Sequence, residues 1–504
     1  MSARRGEPVA GAFLTAFGPF LLAFSLGALA VLAFEPVGLW FGGLVVLVFL
    51  FQRFALAASP REGFYTGYGF GLGFFLAGVS WIYVSLATFG AMPMPIAAAA
   101  TLLFCAFLAL FPATAGYAAV RLRAPPAITL TLAAPALWIG VEWVRSWIFT
   151  GFPWNTIGYS QIPDSPLAGY APVTGIYGVS LLVAVSAGCI ALIAMRVRWA
   201  AAIPVAFLLG GWGLKPIEWT TPTGTPVTVS LLQGNVAQDM KWREDQVLAT
   251  LEAYAKMVTA SRAQLIVLPE TALPLFLHQV PPDYLELLAA HARKNNGDVL
   301  IGVPERVPNE GYYNSAISLG TAASQKYRKS HLVPFGEFIP LRPVLAWIVN
   351  ILSIPLQDFA RGSIEQQPLN LAGQRVAVNI CYEDVFGEEI IRQLPQATML
   401  VNVSNVAWFG RSMAPRQHLQ ISQARALETG RYMLRATNTG MTAVIDQRGQ
   451  IVKAAPEYTV ATVEHTVPGY QGATPYTRWG NSVALLLAAL MLGCAFLWRK
   501  PGLG

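Results

Sequence analysis

Hydrophobic positions follow two different patterns along this 504-residue chain. In residues 1–215, and again near the C-terminus, apolar residues form long runs with few breaks. A helix needs roughly 17–25 apolar residues to cross a bilayer, and most of these runs reach that length. We therefore predict about eight transmembrane helices, at residues 12–33, 37–52, 64–88, 94–120, 128–147, 171–195, 199–215 and 481–498.

Between residues 216 and 479 the pattern changes to short apolar runs separated by amphipathic stretches. The runs at 265–268, 299–303 and 375–380 are typical of strands, and 242–260 is typical of an amphipathic helix. Alternating strands and helices, with hairpins among them, predict an α/β sandwich with mixed sheets.

The two patterns divide the chain into three parts. We expect a membrane domain of seven helices at residues 1–215, a soluble domain at 216–479, and a last transmembrane helix with a short tail at 480–504. Arginines follow alternate spans, whereas the other short connections carry no Lys or Arg. Since basic loops stay in the cytoplasm, both termini are expected there and the soluble domain outside.

Composition agrees with this arrangement, because 54% of the residues are hydrophobic and only 12% are charged. The basic loops account for much of the net charge of +7. No basic stripe with interleaved aromatic residues is present, so a nucleic-acid partner is not expected.

Glu142 and Arg145 interrupt the fifth predicted span and share one face of a helix. Ionisable residues within a span are costly and often functional. The sequence leaves two explanations open: a pair at the end of the helix, or a pair that faces a site above the membrane.

Cys381 is the only cysteine in the polar part of the chain, since Cys105, Cys189 and Cys494 lie in apolar segments. It ends a strand-like run and is followed closely by two carboxylates. A thiol without a disulfide partner in such a position is a candidate nucleophile.

Other reactive side chains also follow predicted strands, where ligand-binding groups collect in α/β folds. Glu270 follows the run at 265–268, Lys329 lies on the run at 325–332, and asparagines occur at 402 and 405. A carboxylate can accept the thiol proton, and an ammonium can stabilise a thiolate or an oxyanion. Each residue alone is also explained by structure: a buried cysteine, a helix-capping glutamate or a solvated lysine.

The five histidines are scattered without the spacing of metal ligands, so no metal site is predicted. No glycine-rich phosphate loop or nucleophile-elbow serine is present either. We expect no cofactor.

Three segments carry a resemblance to a known family: 268–271 (Leu-Pro-Glu-Thr), 327–337 and 379–383 (Asn-Ile-Cys-Tyr-Glu). They resemble, in order, the Glu-Lys-Cys triad segments of the nitrilase superfamily. Transmembrane spans on both sides of such a domain resemble the apolipoprotein N-acyltransferases. The resemblance implies a nitrilase-like αββα sandwich on the periplasmic side of a bacterial inner membrane.

The resemblance also implies a role for individual residues. Glu270 would be the general base, Lys329 would stabilise the tetrahedral intermediate, and Cys381 would carry the acyl group. Glu337 and Glu383 match accessory carboxylates of the family, and Tyr382 matches the residue after the nucleophile. Trp242 matches a tryptophan near substrate access. Arg431, Arg435 and Asn438 lie in another family-like stretch without an assigned role.

The implied reaction moves an acyl chain from the sn-1 position of a phospholipid, typically phosphatidylethanolamine, to the thiol. The α-amino group of an S-diacylglyceryl cysteine at an apolipoprotein N-terminus then accepts it, and the enzyme is expected to be a monomer. An apolar stretch at 340–359, with Trp347, is too short to span and favours an interfacial arm over packing within the domain. The turn that contains Trp408 is a second candidate for substrate access.

Two alternatives remain open from the sequence. A membrane-anchored amide hydrolase would use the same triad, because water and an amine attack the same thioester. A transporter with an external binding domain would need polar pairs within several spans, and here only Glu142 and Arg145 qualify.

Overall fold

The computed structural model describes residues 9–339 and 359–499, with side chains from residue 18 onward. Long apolar helices occupy the N-terminal part, and one more follows the sandwich. Their bounds are Val9–Ala30, Phe41–Leu56, Pro60–Val79, Met94–Arg121, Ala134–Arg145, Ala171–Ala194, Ala202–Leu214 and Ser482–Leu497.

Three stretches among the described residues are long and apolar enough to cross a membrane: Met94–Arg121, Pro126–Arg145 and Pro166–Ala194. A fourth results if Pro60–Val79 and Ile82–Phe89, which meet at 54°, form one bent span. Shorter apolar helices, of 10–17 residues each, are Phe41–Leu56, Arg198–Leu214 and Ser482–Leu497. The count of about eight spans and their orientation therefore stay predictions.

Glycines let the apolar helices approach closely. A Cβ at Gly67 would lie 2.2 Å from the Pro112 carbonyl oxygen, and one at Gly63 would lie 2.5 Å from the Gly116 carbonyl oxygen. Only glycine fits at such contacts, which bring the backbones of Pro60–Val79 and Met94–Arg121 together.

The sandwich consists of two six-stranded sheets with the strand orders β12-β1-β2-β3-β4-β5 and β11-β10-β9-β8-β7-β6. The pairs β1/β2, β2/β3, β7/β8 and β8/β9 are parallel and the other neighbours are antiparallel. The strands are β1 Thr220–Gln233, β2 Leu265–Val267, β3 Asp298–Val307, β4 Gly311–Gly320, β5 Lys326–Arg328, β6 Leu369–Leu371, β7 Gln374–Ile380, β8 Met399–Ser404, β9 Met433–Thr437, β10 Ala443–Ile445, β11 Ile451–Ala454 and β12 Ala461–Gly472.

The sheets pack face to face, because one buried apolar cluster takes side chains from both, including Leu231 and Val267 opposite Val378 and Val401. Helices cover the outer faces: Glu244–Ala260 and Pro282–Lys294 on the first sheet, and Ala414–Thr429 on the second. The structure is therefore an αββα sandwich, as the nitrilase-like fold requires.

Helix Ala414–Thr429 is buried on almost every face because it lies between the second sheet and the apolar helices. Its polar side chains join the two parts of the molecule. Gln417 accepts a hydrogen bond from Trp154 Nε1 at 2.7 Å, and Glu428 accepts one from the Ile176 N–H at 2.7 Å.

Several element bounds differ from the sequence predictions. The helix predicted at 242–260 begins at Glu244. Strand β5, which pairs with β4 as a hairpin, is much shorter than the predicted run at 325–332. Strands β6, β9 and β12 were not predicted. β12 carries an irregular apolar pattern and becomes a strand by pairing along most of β1.

Candidate active site

The sandwich brings Glu270 and Lys329 together from the ends of β2 and β5. Glu270 Oε1 lies 3.7 Å from Lys329 Nζ. Both side chains are buried, and Lys329 is only 1% exposed. The Cys381 thiol, just past the end of β7, is close enough that both charged groups shift its pKa.

Lys329 serves two carboxylates, since its Nζ also lies 2.9 Å from Glu337 Oε1. Burial by itself lowers the pKa of Lys329, but Glu337 and then Glu270 raise it further, and the net pKa lies above its ordinary value. Lys329 is therefore a fixed ammonium rather than a base. We call Glu270, Lys329 and Glu337 the lysine cluster.

Glu270 is oriented by two donors. Asn314 Nδ2 donates to Oε1 at 2.7 Å, and the Asn405 backbone N–H donates to Oε2 at 2.8 Å. Asn405 is itself held, because Asn438 Nδ2 donates to its side-chain oxygen at 3.2 Å. These contacts keep one carboxylate oxygen toward Lys329.

Cys381 has a backbone φ of 54°, in the left-handed region that few non-glycine residues adopt. It begins a short 3₁₀ helix, Cys381–Val385, directly after the strand. Burial and the Glu270 charge raise the pKa of the thiol, and Lys329 offsets this only in part. The resting thiol is therefore protonated and needs a base to become a nucleophile.

Glu383 ties the nucleophile segment to the lysine segment. Its buried carboxylate accepts backbone N–H bonds from Ile380 at 2.7 Å, Ser330 at 2.6 Å and His331 at 3.0 Å. It also accepts from the Tyr327 hydroxyl at 3.0 Å and the Ser330 hydroxyl at 2.9 Å. Since Lys329 precedes Ser330, this carboxylate fixes Lys329 relative to Cys381.

Tyr382 connects the site to the apolar helices, because its hydroxyl donates to the Gly151 carbonyl at 3.0 Å. Glu142 and Arg145 hold the same loop. Glu142 accepts from the Ile157 N–H at 2.8 Å, and Arg145 donates to the Trp154 carbonyl at 2.7 Å. Of the two explanations for this pair, the structure favours a positioning role at the end of the helix.

A second buried charge cluster lies behind Cys381. Asp384 Oδ1 is 2.6 Å from His418 Nε2, and Arg435 NH1 lies 3.3 Å from Asp384 Oδ2. Ser422 also donates to Asp384, and all four side chains are at most 1% exposed. We call Asp384, His418, Ser422 and Arg435 the arginine cluster.

The tryptophans predicted at the substrate entrance differ in what the structure describes. Trp242 is 54% exposed and Trp408 is 41% exposed. The Trp408 carbonyl accepts a bond from Ser85 Oγ at 2.8 Å, which places its turn against the bent apolar helix. Of the predicted arm at 340–359, residues 340–358, including Trp347, lie outside the described residues.

Lys241 is a residue that the sequence reasoning missed. It is buried, and its Nζ donates to the Glu270 backbone carbonyl at 3.3 Å. Burial lowers its pKa to about 8, and the Glu270 charge offsets only part of that effect. It lies between the half-buried Met240 and the exposed Trp242, so only the fold reveals that it is fully buried.

Arg431 has no contact with the site. It donates to the Ala397 carbonyl at 2.8 Å and the Gly472 carbonyl at 2.7 Å, and so closes one end of the sandwich.

Asn314 is a second residue that the sequence reasoning missed. Like the burial of Lys241, its contact with Glu270 is visible only in the fold, because a position within β4 gives no signal of a polar partner.

Two protein-family models match the chain. The apolipoprotein N-acyltransferase N-terminal domain matches residues 26–189, and the carbon-nitrogen hydrolase family matches residues 228–476. A solved amidase from Nesterenkonia sp. aligns at 16% identity with a TM-score of 0.36, covering 52% of this chain and 95% of its own, which is too weak to bear on the argument.

Two relatives match over nearly their whole length. An apolipoprotein N-acyltransferase of Nitrosomonas europaea is 53% identical over 476 residues, covering 94% of this chain and 96% of the relative. One of Chromobacterium violaceum is 47% identical over 497 residues, covering 96% and 95%. The resemblance seen in the sequence is confirmed, and the chain belongs to the apolipoprotein N-acyltransferase family.

Proposed function

We propose that this protein transfers an acyl chain from the sn-1 position of a phospholipid, typically phosphatidylethanolamine, to an apolipoprotein. The acceptor is the α-amino group of the N-terminal S-diacylglyceryl cysteine. The observation that carries the proposal is the Lys329 ammonium held between Glu270 and Glu337 beside the Cys381 thiol. Membership of the family supplies the lipid substrates.

The first half-reaction forms a thioester. Glu270 accepts the Cys381 proton as the sulfur attacks the ester carbonyl, and the Lys329 ammonium stabilises the oxyanion that develops. The C–O bond of the ester then breaks. The departing glycerol oxygen takes the proton from Glu270 and leaves as a lysophospholipid.

The second half-reaction returns the thiol. The acceptor's uncharged α-amino group attacks the thioester carbonyl, Glu270 takes a proton from that nitrogen, and an amide forms as the C–S bond breaks. The Cys381 sulfur then recovers the proton from Glu270. Glu337 and Glu383 act through Lys329, which they charge-balance and position.

The arrangement of the chain in the membrane is part of the proposal. We propose the division into residues 1–215, 216–479 and 480–504, with the sandwich on the periplasmic face and both termini in the cytoplasm. The enzyme is proposed to act as a monomer. A cysteine at the exposed position Glu365 tests the orientation: a membrane-impermeant maleimide should label Glu365→Cys in intact spheroplasts, and protection until lysis would contradict it.

The catalytic proposal is tested with purified protein, phosphatidylethanolamine and a synthetic diacylglyceryl-cysteine peptide. Mass spectrometry should detect an acyl adduct on Cys381 and then an N-acylated peptide. Cys381→Ser should abolish both, whereas Cys494→Ser, which changes an exposed cysteine in the last helix, should abolish neither.

The same experiment distinguishes the alternatives. Free fatty acid without N-acylated peptide would support the hydrolase, although family membership does not favour it. N-acylated peptide from Cys381→Ser protein would contradict a thioester intermediate.

A further inference from the structure

A cavity of about 940 Å³ lies between the sandwich and the ends of the apolar helices, apart from the active site. Its walls come from the segments after Lys329, after Cys381 and after the sandwich's last strand. Glu270, Lys329 and Cys381 do not line it. The cavity is lined instead by Val385 and Phe386, four and five residues after the cysteine, and by His331, two residues after the lysine.

One part of the cavity wall is apolar and aromatic. Trp143, Trp147 and Ile176 contribute from the apolar helices, and Phe338 and Phe386 contribute from the sandwich. The Trp147 side chain is 53% exposed, at the end of a helix predicted to span the membrane. Aromatic residues in such positions favour the boundary between lipid headgroups and acyl chains.

Another part of the wall carries charges of both signs. Glu388 and Glu389 lie near Arg392, and the Arg392 guanidinium is 3.9 Å from Glu389 Oε1. Arg361 adds a further cation and is held by its Nε bond to the Ser330 carbonyl. Neither an anion nor a cation alone matches this wall, but a ligand with both charges does.

Residues around the cavity also have unsatisfied polar atoms. Five buried atoms have no hydrogen-bond partner among the described residues: Thr150 Oγ1, His331 Nε2, Glu389 Oε2, Arg425 Nε and Asn481 Oδ1. A buried polar atom without a partner costs roughly 1–3 kcal/mol. If the side chains of this wall adjust to a ligand, the ligand can supply hydrogen-bond partners to these atoms and recover part of that free energy.

We propose that the cavity binds one intact phospholipid with a zwitterionic headgroup of the phosphoethanolamine class. The phosphate lies toward Arg361 and Arg392, the ammonium toward Glu388 and Glu389, and the upper acyl chain against the aromatic wall. This lipid is not the acyl donor of the reaction. It fills the interface on which the His331 and Phe386 segments pack, since these two rings stack at 3.8 Å.

The test uses full-length Cys381→Ser protein, so that bound lipid is not consumed. Native mass spectrometry from mixed micelles should show one phosphatidylethanolamine retained per protein. Phosphatidylglycerol, which has the phosphate but no ammonium, should be retained about tenfold less, and free phosphoethanolamine should not be retained. Arg392→Ala and Glu389→Gln should each weaken retention by about three- to tenfold, since both groups are partly exposed.

Arg375→Ala is the matched control, because Arg375 is an exposed arginine of strand β7 outside the cavity. Equal retention of phosphatidylglycerol, or unchanged retention in both wall variants, would overturn the zwitterion assignment. Retention of free phosphoethanolamine alone would overturn the assignment of an intact lipid as the ligand.

Acyl-enzyme formation, measured in the same variants with Cys381 restored, separates this proposal from the catalytic one. We expect Arg392→Ala to form the thioester within about twofold of the unmodified protein, because the cavity is separate from the triad. Parallel loss of lipid retention and thioester would instead make the cavity the entrance of the acyl donor.

Discussion

The lysine cluster and the arginine cluster flank the same cysteine, but they balance their charges differently. In the arginine cluster, one guanidinium faces one carboxylate, and His418 has a pKa held below its ordinary value by burial and by Arg435. In the lysine cluster, one ammonium faces two carboxylates. The first cluster is neutral when His418 is uncharged, and the second carries an excess negative charge.

From this difference we expect the arginine cluster to support the structure and the lysine cluster to take part in the chemistry. The arginine cluster is balanced in charge and both Asp384 oxygens are bonded, so its carboxylate gains little from taking up a proton and instead fixes the 3₁₀ helix that begins at Cys381. An excess carboxylate beside a protonated thiol is a proton acceptor in the right place. The buried Lys241 ammonium, 3.3 Å from the Glu270 carbonyl, moderates that excess without neutralising Glu270 directly.

The strongest test of the comparison removes the cation of the lysine cluster. Lys329→Met should reduce acyl-enzyme formation by roughly 10²–10³-fold, because the oxyanion loses its charged partner. The measurement is the rate of acyl-adduct formation by mass spectrometry, corrected for folded protein. Lys326→Met, three residues earlier on β5 and half exposed, should change the rate by less than about twofold.

Removing the cation of the arginine cluster should have a different result. Arg435→Met leaves Asp384 buried without its guanidinium, which typically costs about 3–5 kcal/mol of stability. Thermal unfolding should reveal the loss, while the folded fraction should keep its acylation rate within about tenfold. A stable variant with a thousandfold slower reaction would show that this cluster takes part in the chemistry.

Glu383→Gln tests whether the bonds between the nucleophile segment and the lysine segment position Lys329. The amide cannot accept all five hydrogen bonds and presents a donor to backbone N–H groups, so we expect acyl-enzyme formation to fall by about tenfold or more. Glu365→Gln, an exposed glutamate, is the control. Unchanged kinetics with lower stability would restrict Glu383 to a structural role.

Lys241→Met should have the smallest effect of these substitutions. We expect that effect in the pH dependence of the free energy of unfolding. With its pKa lowered to about 8, folded Lys241 loses its proton before an unfolded lysine does. Stability therefore rises as pH increases from about 8 toward the ordinary lysine pKa near 10.4. Melting curves should show this rise in the unmodified protein and less of it in the variant, with the exposed Lys256→Met as control.

The sequence by itself determined the family and the long apolar runs, and it singled out the candidates for the chemistry. Long apolar runs are interpretable without a fold, because backbone groups in a bilayer must be satisfied within each helix. Cys381, Glu270 and Lys329 follow strand signals in characteristic flanking segments. The same reasoning did not reach β6, β9 and β12, whose conformation depends on the strands they pair with.

Only the tertiary structure decided which residues support the triad. Asn314, Asn405 and Lys241 are far apart in the chain, and they meet at Glu270 because β2, β4 and β8 bring their ends to one place. Likewise, Glu142 and Arg145 were recognisable as a costly pair, but the loop they hold is visible only in the fold. Patterns along the chain report burial and local conformation, whereas charge balance in a buried site depends on contacts between segments that the chain order does not specify.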